Sequence, residues 1–256
     1  MIHSEPSDRS VHPFENLFDQ IYIINLSTRP DRWETIQSRL KKEGINTVKR
    51  VEAVNGRVNP YYQSWHTLTT KVFRGQHKLF SPGSYGYLLS MYRIFNDALQ
   101  QGYQKILVLD DDIAFHREAN YHTLLNSVPE NWKILYFGYC HKGHSKVSQS
   151  WNIPGNGQFI DIDTFLHKYG KGSINGSFFM GYHHSVFESM MKYISNSRVP
   201  FDTGPLRLCY RTFKNVYITH PPVAIAQIED SDIQSDTNNQ HRLLKDWRWD
   251  NSKYKW

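Results

Sequence analysis

The chain has 256 residues, of which 39% are hydrophobic and 21% are charged, enough for one large folded domain and unlike an intrinsically disordered protein. Its formal net charge of +6 favours anionic partners such as nucleotides, phosphorylated sugars, nucleic acid or an acidic membrane face. The basic residues form no Lys/Arg block, which weighs against nucleic acid, and no apolar run approaches the roughly 20 residues of a membrane span.

The two cysteines, Cys140 and Cys209, do not belong to a Cys-x-x-Cys pair and cannot form a disulfide framework. A reducing compartment is therefore the simpler expectation. The polar N-terminus lacks the apolar core of a signal peptide, so we expect a cytoplasmic protein. We expect a polar tail over residues 1–17, a single domain over 18–235, and a polar and aromatic tail over 236–256.

The C-terminal tail combines basic residues with Trp247, Trp249 and Trp256. Such a mixture is typical of membrane interfaces, so peripheral membrane contact is one prediction for this tail. The other is a tail that packs on the domain or is floppy.

The first predicted strand covers residues 21–26 and runs into Arg29, Pro30 and Arg32, where a helix is expected to begin. Backbone N–H groups and the helix dipole favour an anion such as phosphate at that point. Both arginines are therefore candidate nucleotide contacts, although in an arbitrary helix they would be solvated surface charges. No Gly-x-Gly-x-x-Gly follows the strand and the chain contains no P-loop motif, so neither fingerprint is predicted.

A second strand is predicted over residues 47–54, and it ends in the turn signal Asn55-Gly56. Asn25, Glu52 and Asn55 lie at or near the ends of these two strands, where they could contact a ligand. Residues 57–81 are rich in aromatic and basic side chains but lack clear periodicity. They either stack sugars or cover a ligand, or they pack irregularly on the core.

A helix with one apolar face ends at Gly102 and leads into the apolar run 105–109, which is typical of a buried strand. Three carboxylates follow, and alternation along an extended chain predicts that Asp110 and Asp112 point one way and Asp111 the other. Two carboxylates so close repel by about 4 kcal/mol at an effective dielectric of about 20. Because oxygen ligands suit Mg²⁺ or Mn²⁺, Asp110 and Asp112 predict a metal site at a strand end; the alternative is an acidic turn that caps the next segment.

Further buried strands are predicted over residues 134–137, 177–180 and 216–220. Asp202 precedes a turn and a helix in the C-terminal half. His220 ends the last of these strands, where it is a candidate metal ligand; the alternative is a hydrogen-bonded structural histidine.

Three stretches are informative because of their order along the chain and the number of residues between them. They are Ile23-Ile24-Asn25-Leu26 with Arg29-Pro30-Asp31-Arg32, Val51-Glu52-Ala53-Val54-Asn55-Gly56, and Gly83 to Ser90 leading to Leu109-Asp110-Asp111-Asp112. The set resembles glycosyltransferase family 25, which includes bacterial lipooligosaccharide galactosyltransferases and relatives of the collagen galactosyltransferases. The resemblance is good over residues 20–115 and weaker afterwards. Members often carry Asp and His where this chain has Asn55 and Met91.

The resemblance implies an α/β fold with a single GT-A-type nucleotide-sugar-binding domain, in which a mixed, mostly parallel sheet is flanked by helices. It also implies a UDP-sugar donor, dependence on Mn²⁺ (or Mg²⁺), and inversion at the anomeric carbon. The sugar would be galactose, or else glucose, and the acceptor a hydroxyl of a glycan or glycoconjugate. No nucleic-acid partner is expected, and fold and family do not identify the acceptor or the oligomeric state.

The residues and the resemblance together predict a site with assigned roles. The expected metal ligands are Asp110, Asp112 and His220. The expected donor contacts are Asn25, Leu26, Arg29, Arg32, Glu52, Asn55, Ser90 and Asp110. Asp202 is the candidate base for the acceptor hydroxyl, and Asp111 would orient the donor sugar.

Two alternatives stay open at this point. A metal-dependent nucleotidyltransferase shares strand-end carboxylates but would consume a nucleoside triphosphate and release pyrophosphate. A non-enzymatic carbohydrate- or nucleic-acid-binding protein would use the basic and aromatic surface and keep a degenerate site. Asp110 and Asp112 argue against degeneration, whereas Asn55 and Met91 argue mildly for it.

Overall fold

The structure is a computed structural model that describes residues 11–70, 81–141, 151–152, 157–169, 174–227, 232–233 and 249–256. Within these ranges the strands are β1 (Gln20–Asn25), β2 (Lys49–Glu52), β3 (Lys105–Asp110), β4 (Ile113–His116), β5 (Ile134–His141), β6 (Gln158–Asp161), β7 (Ile174–His183), β8 (Val216–His220), β9 (Ala224–Ala226) and β10 (Tyr254–Lys255). The α-helices are α1 (Pro13–Leu17), α2 (Pro30–Glu43), α3 (Tyr61–Thr70), α4 (Pro82–Gln100), α5 (Tyr121–Asn126), α6 (Ile162–Tyr169), α7 (Phe187–Ser195) and α8 (Pro205–Thr212).

The strands form one sheet in the order β10-β4-β9-β5-β7-β3-β1-β2, with β8 beside β5 and β6 beside β8. β1 runs parallel to β2 and β3, and β5 runs parallel to β8 and β9. The central strand β7, however, is antiparallel to both β3 and β5. The α/β prediction is confirmed, but the prediction of a mostly parallel sheet is wrong. A strand buried on both faces reads as an apolar run in either direction, so the pattern carried no information about β7's orientation.

Two hydrophobic clusters cover the two faces of the sheet. Along β1, Tyr22 and Ile24 belong to the cluster with α4 and α7, whereas Ile21 and Ile23 belong to the cluster with α2. β3 alternates between the clusters in the same way. This burial on both faces explains why these two strands read as continuous apolar runs rather than as alternating ones.

The structure describes a helix in the segment expected to be irregular. α3 lies within residues 57–81, and Arg93 of α4 donates a hydrogen bond of 2.9 Å to the Tyr61 hydroxyl and lies over its ring. This contact with α4 shows how tertiary packing supports a helix that the local periodicity does not predict. Residues 71–80 of the segment lie outside the described residues.

Parts of both predicted tails pack on the domain. Phe14 of α1 is fully buried, and its ring contacts the rings of Phe137 and Phe179. Near the C-terminus, Tyr254 is buried and β10 pairs with β4. Residues 1–10 and 234–248 lie outside the described residues, so the boundaries at 18 and 235 stay predictions. In the described part of the chain, no helix combines the length and apolar character needed to cross a bilayer.

The topology brings three strand ends together. β1 lies between β2 and β3 in parallel, with Asn25 opposite Glu52 and Ile24 opposite Asp110. α2 begins shortly after β1, and α4 leads directly into β3. The carboxyl ends of β1, β2 and β3 therefore share one edge of the sheet, where open α/β folds bind their ligands.

Candidate functional site

A pocket of about 140 Å³ lies at this edge of the sheet. Its walls come from the end of β1, the loop after β2, the first turns of α4, the end of β3 and residues 232–233. Eight predicted site residues line it: Asn25, Leu26, Arg32, Asn55, Ser90, Asp110, Asp111 and Asp112. Four others do not line it: Arg29, Glu52, Asp202 and His220.

Glycines allow the walls to meet. A Cβ at Gly86 would lie 2.1 Å from the carbonyl oxygen of Val54, and one at Gly56 would lie 1.8 Å from that of Pro82. Either side chain would push α4 away from residues 54–56, because a real Cβ does not approach backbone atoms so closely. Ser90, one turn further along α4, also holds the helix against residues 54–56. Its Oγ accepts a hydrogen bond of 2.8 Å from the backbone N–H of Val54 and donates one of 2.8 Å to the carbonyl of Gly86.

The three consecutive carboxylates do not alternate as an extended chain would. β3 ends at Asp110, and Asp111 and Asp112 form the turn that leads into β4. All three side chains line the pocket. The expectation that Asp111 points away from the other two is therefore corrected, because strand alternation ends where the strand ends.

The carboxylates lie in an environment that disfavours negative charge. Burial raises the pKa of Asp110 well above its usual range, and the charges of Asp112 and Asp111 raise it further. Burial also raises the pKa of Asp112, with Asp111 adding to the shift and Arg32 opposing it. The buried Oδ1 of Asp112 has no hydrogen-bond partner among the described residues. A group with positive charge would satisfy this oxygen and offset the repulsion.

This arrangement fits a divalent cation held by two protein carboxylates. Among the described residues, no three His, Cys, Asp or Glu side chains are grouped so that they could hold a metal ion. Mg²⁺ commonly binds through one or two carboxylates and completes its coordination with water and substrate phosphates, so a pair is sufficient. Asp110 Oδ1 already accepts a hydrogen bond of 3.1 Å from the hydroxyl of Tyr87.

His220 is not brought to this pocket. Its Nδ1 lies 3.0 Å from the Tyr139 hydroxyl, and its ring contacts Phe165 and Tyr169. Burial, together with the charge of Lys168, lowers the pKa of His220 to about 4. This arrangement is that of a buried, neutral, hydrogen-bonded histidine, the alternative that the sequence left open, and it separates His220 from the two aspartates.

The two arginines at the start of α2 contact carboxylates. Nη1 of Arg32 lies 3.4 Å from Asp111 Oδ1, 3.4 Å from Asp112 Oδ2 and 3.8 Å from Asp232 Oδ2. Arg29 makes shorter contacts, with Nη1 2.8 Å from Asp232 Oδ2 and Nη2 2.9 Å from Asp31 Oδ2. Arg32 therefore places a positive charge in the pocket, and Arg29 anchors the wall formed by Asp232.

Asn25 lines the pocket and orients Asp111. Its buried amide donates hydrogen bonds of 2.5 Å to Asp111 Oδ2 and of 3.1 Å to the carbonyl of Arg29. Its Oδ1 accepts a hydrogen bond from Arg50, whose guanidinium lies over the ring of Trp33.

Two other predicted donor contacts behave differently. Asn55 Oδ1 accepts a hydrogen bond of 3.0 Å from the backbone N–H of Arg57, so Asn55 shapes its own turn while lining the pocket. Glu52 is exposed on the edge strand β2 and does not line the pocket.

Asp202 contacts β7 and does not line the pocket. Its Oδ2 accepts a hydrogen bond of 2.9 Å from the N–H of Gly176, and its Oδ1 accepts one of 2.8 Å from the N–H of Thr203. Burial raises the pKa of Asp202, and these hydrogen bonds oppose the shift. Ser177 follows Gly176 and is bonded to Tyr87, which does line the pocket.

Sequence reasoning missed Tyr87 and Asp232, which both line the pocket. Tyr87 was assigned no role, although it lies between Gly83 and Ser90 in one of the stretches that resemble the family. Asp232 lies in a stretch that resembles the family only weakly. Arg57 also lines the pocket and donates a hydrogen bond of 3.0 Å to the Asp232 carbonyl.

Several known proteins are similar to this chain. Procollagen galactosyltransferase 2 of Homo sapiens is 28% identical over 137 residues, which are 50% of this chain and 22% of that protein. Procollagen galactosyltransferase 1 of Danio rerio is 30% identical over 131 residues, 47% of this chain and 21% of that protein. Inactive glycosyltransferase 25 family member 3 of Homo sapiens is 27% identical over 165 residues, 59% of this chain and 26% of that protein. The chain thus spans about a quarter of the length of these relatives.

Residues 18–153 match the model of a family described as glycosyltransferase family 25 (LPS biosynthesis protein). The match includes β1, the start of α2, the glycines of α4 and the turn at Asp111 and Asp112, which together build most of the pocket. Because the matched residues are more than half of the 256-residue chain, the resemblance is confirmed and the chain belongs to glycosyltransferase family 25.

Proposed function

We propose that this protein is a glycosyltransferase that moves a sugar from a UDP-sugar to a hydroxyl of a glycan or glycosylated acceptor, with inversion at the anomeric carbon. Galactose is the favoured sugar, since two of the similar proteins are named galactosyltransferases. The observation that carries the proposal is the carboxylate pair of Asp110 and Asp112 at a strand end beside Arg32, where one buried oxygen has no hydrogen-bond partner in the described part of the chain.

In this proposal Asp110 and Asp112 hold Mn²⁺ or Mg²⁺. The ion would offset the negative charge that develops on the diphosphate as the sugar leaves. Arg32 and the N-terminal turn of α2 bind the diphosphate, because both present positive charge or N–H groups to the pocket. Leu26 and Asn55 border the nucleotide, and Ser90 holds residues 54–56 against α4 so that this border keeps its shape.

The remaining roles concern the sugar and the acceptor. Asp111, oriented by Asn25, is positioned to accept hydrogen bonds from the hydroxyls of the donor sugar. The acceptor hydroxyl needs a base on the side opposite the leaving group, and Asp202 is our candidate. Its raised pKa suits a proton acceptor, and it is linked to the pocket through Gly176, Ser177 and Tyr87.

The experiment is a measurement of UDP release from a panel of UDP-sugars, with Mn²⁺ and with EDTA, combined with calorimetry of UDP binding. We expect slow Mn²⁺-dependent hydrolysis of one UDP-sugar even without an acceptor. If UDP neither binds nor is released, the transferase proposal fails. Nucleoside triphosphates should give no pyrophosphate, which separates this function from a nucleotidyltransferase.

A second candidate is a family member that binds UDP without turning it over. Two observations favour it: one similar protein is named inactive, and Asn55 stands where members of the family often carry Asp. UDP binding with no release from any UDP-sugar, including in the presence of glycan acceptors, would support this candidate. Restoring turnover with Asn55→Asp would identify the missing carboxylate as the cause.

A further inference from the structure

We propose that the guanidinium of Arg32 competes with the divalent ion for the aspartates of the pocket. This competition ends when the donor diphosphate binds and interacts with the guanidinium. The inference rests on the proposed function and deepens it. It assigns Arg32 a role in the order of binding in addition to a contact with the nucleotide.

The contacts that support this proposal are made by one nitrogen atom of Arg32. Nη1 of Arg32 lies within 3.4 to 3.8 Å of oxygens of three carboxylates, those of Asp111, Asp112 and Asp232. These carboxylates come from the turn after β3 and from a segment about 120 residues later in the chain. The Arg32 side chain is 12% exposed, so solvent contributes little to neutralising this group. The guanidinium thus occupies the place where a cation is required.

The contacts of Arg32 with Asp111 and Asp112 are longer than ordinary ion pairs. Paired guanidinium and carboxylate groups normally approach to about 2.7–2.9 Å, often through two parallel hydrogen bonds. Arg29, one turn earlier, reaches that distance with Asp31 and Asp232, whereas Arg32 stays at 3.4 Å from Asp111 and Asp112. Its hydrogen bonds to these two carboxylates are therefore long, and another cation can replace them.

A divalent ion and Arg32 share one ligand. Arg32 faces Oδ2 of Asp112, whereas Oδ1 of the same carboxylate is buried without a hydrogen-bond partner among the described residues. An ion at Asp112 would lie near the guanidinium, and like charges repel at short range. Arg32 therefore weakens metal binding as long as no anion is present.

A diphosphate reverses this effect. It adds negative charge beside Arg32, so the positive charge of the guanidinium is offset by the diphosphate and no longer opposes the ion. Metal and nucleotide should then bind with positive coupling, and by linkage each should tighten the other by the same factor. Arg32 would be the residue that makes the pocket prefer the metal–nucleotide pair to the metal alone.

The test is titration with Mn²⁺, followed by electron paramagnetic resonance of the free ion, with and without saturating UDP. For Arg32→Gln we expect Mn²⁺ alone to bind about 5-fold more tightly than to the wild type, the lower range of measured coupling between sites. The factor by which UDP tightens Mn²⁺ binding should then be about 5-fold smaller in this variant than in the wild type. Arg32→Lys keeps a positive charge and should retain weak binding of Mn²⁺ alone.

Lys42→Gln is the matched control, because it removes a positive charge from an exposed position on the same helix that does not line the pocket. It should leave binding of Mn²⁺ alone within about 2-fold of the wild type. If Arg32→Gln weakens binding of Mn²⁺ alone or leaves it unchanged, while its thermal unfolding matches the wild type, the inference is overturned. If the wild type binds neither Mn²⁺ nor UDP, the proposed function itself fails, which is a separate result.

Discussion

The Tyr87 hydroxyl connects the carboxylate cluster to Ser177 of β7. It lies 3.1 Å from Asp110 Oδ1 and 3.2 Å from the Ser177 carbonyl, and it accepts a hydrogen bond of 3.1 Å from Ser177 Oγ. A hydroxyl has one proton, so it can donate to one of the two acceptors at a time. An ionised carboxylate is the stronger acceptor. Tyr87 is therefore a positioning residue that holds one oxygen of Asp110 in place.

We predict that Tyr87→Phe weakens Mn²⁺ binding in the presence of UDP by about 10-fold, since hydrogen bonds to charged groups contribute about 1.5–3 kcal/mol. The phenyl ring keeps the packing of Tyr87 against Phe201, so the fold should persist. The measurement is a calorimetric titration with Mn²⁺. Tyr85→Phe, on the same helix, is the control. Unchanged Mn²⁺ affinity in Tyr87→Phe would contradict the role assigned to the hydroxyl.

Asp202 offers a test between a base and a structural residue. If it is the base, Asp202→Asn should lower turnover by about 100-fold or more and leave UDP affinity unchanged. If its task is to anchor Gly176 and Thr203, the amide leaves one of these N–H groups without an acceptor and mainly lowers stability, by about 1–3 kcal/mol.

Asp161→Asn is the control for that comparison, because Asp161 also accepts hydrogen bonds from two backbone N–H groups, those of Asp163 and Thr164, and does not line the pocket. Turnover and urea unfolding of both variants separate the two roles. A fall in UDP affinity in Asp202→Asn would make Asp202 a donor-site residue instead.

At the scale of elements, the pocket depends on the close approach of α4 to residues 54–56. Gly86 and Ser90 lie one turn apart on α4, and both contact Val54. The first permits the approach because it has no Cβ, and the second maintains it with a hydrogen bond. A helix and a loop far apart in the chain thereby form one wall.

We predict that Gly86→Ala lowers UDP affinity by about 10-fold or more, although alanine normally favours a helix over glycine by about 1 kcal/mol. The added Cβ would meet the Val54 carbonyl at 2.1 Å, so α4 has to move and the pocket opens. Leu99→Ala, at an exposed position of the same helix, is the control. UDP calorimetry gives the answer, and wild-type affinity in Gly86→Ala would show that the wall tolerates the displacement.

At the scale of the whole molecule, the histidine cluster on the other side of β5 links stability to pH. His220 is buried against Tyr139 and Tyr169, with Lys168 and His141 nearby. Its pKa falls from an ordinary 6.5 to about 4. Between these values the unfolded chain binds more protons than the folded one, so stability is complete above about pH 6.5 and is lost as the pH falls toward 4.

We predict that this histidine lowers the free energy of unfolding by up to about 3 kcal/mol between pH 7 and pH 4, since each pKa unit corresponds to about 1.4 kcal/mol. His220→Gln keeps a hydrogen-bonding group for Tyr139 and should flatten the pH dependence over this interval. His66→Gln, at an exposed position, should not. Urea unfolding at several pH values measures both, and an equally steep dependence in His220→Gln would refute the prediction.

The sequence by itself determined the local elements and most of the pocket. The apolar run before Asp110 predicted β3, and Pro30 marked the start of α2. The second strand was predicted correctly but over 47–54, which is longer than β2 (Lys49–Glu52) at both ends. Because parallel strands bring their carboxyl ends to one edge, those local predictions were enough to gather eight of the predicted residues in one place. The family resemblance rested on the same stretches and was confirmed.

Only the tertiary structure decided the direction of β7, the position of His220, and the contributions of Tyr87 and Asp232. Each depends on contacts between residues far apart in the chain, and neither periodicity nor propensity carries information about such contacts. The structure also turned Asp111 into the pocket, because the strand ends at Asp110, two residues earlier than the alternation assumed. It brought Arg32 among three carboxylates, a pairing set by the packing of α2 beside the ends of the sheet.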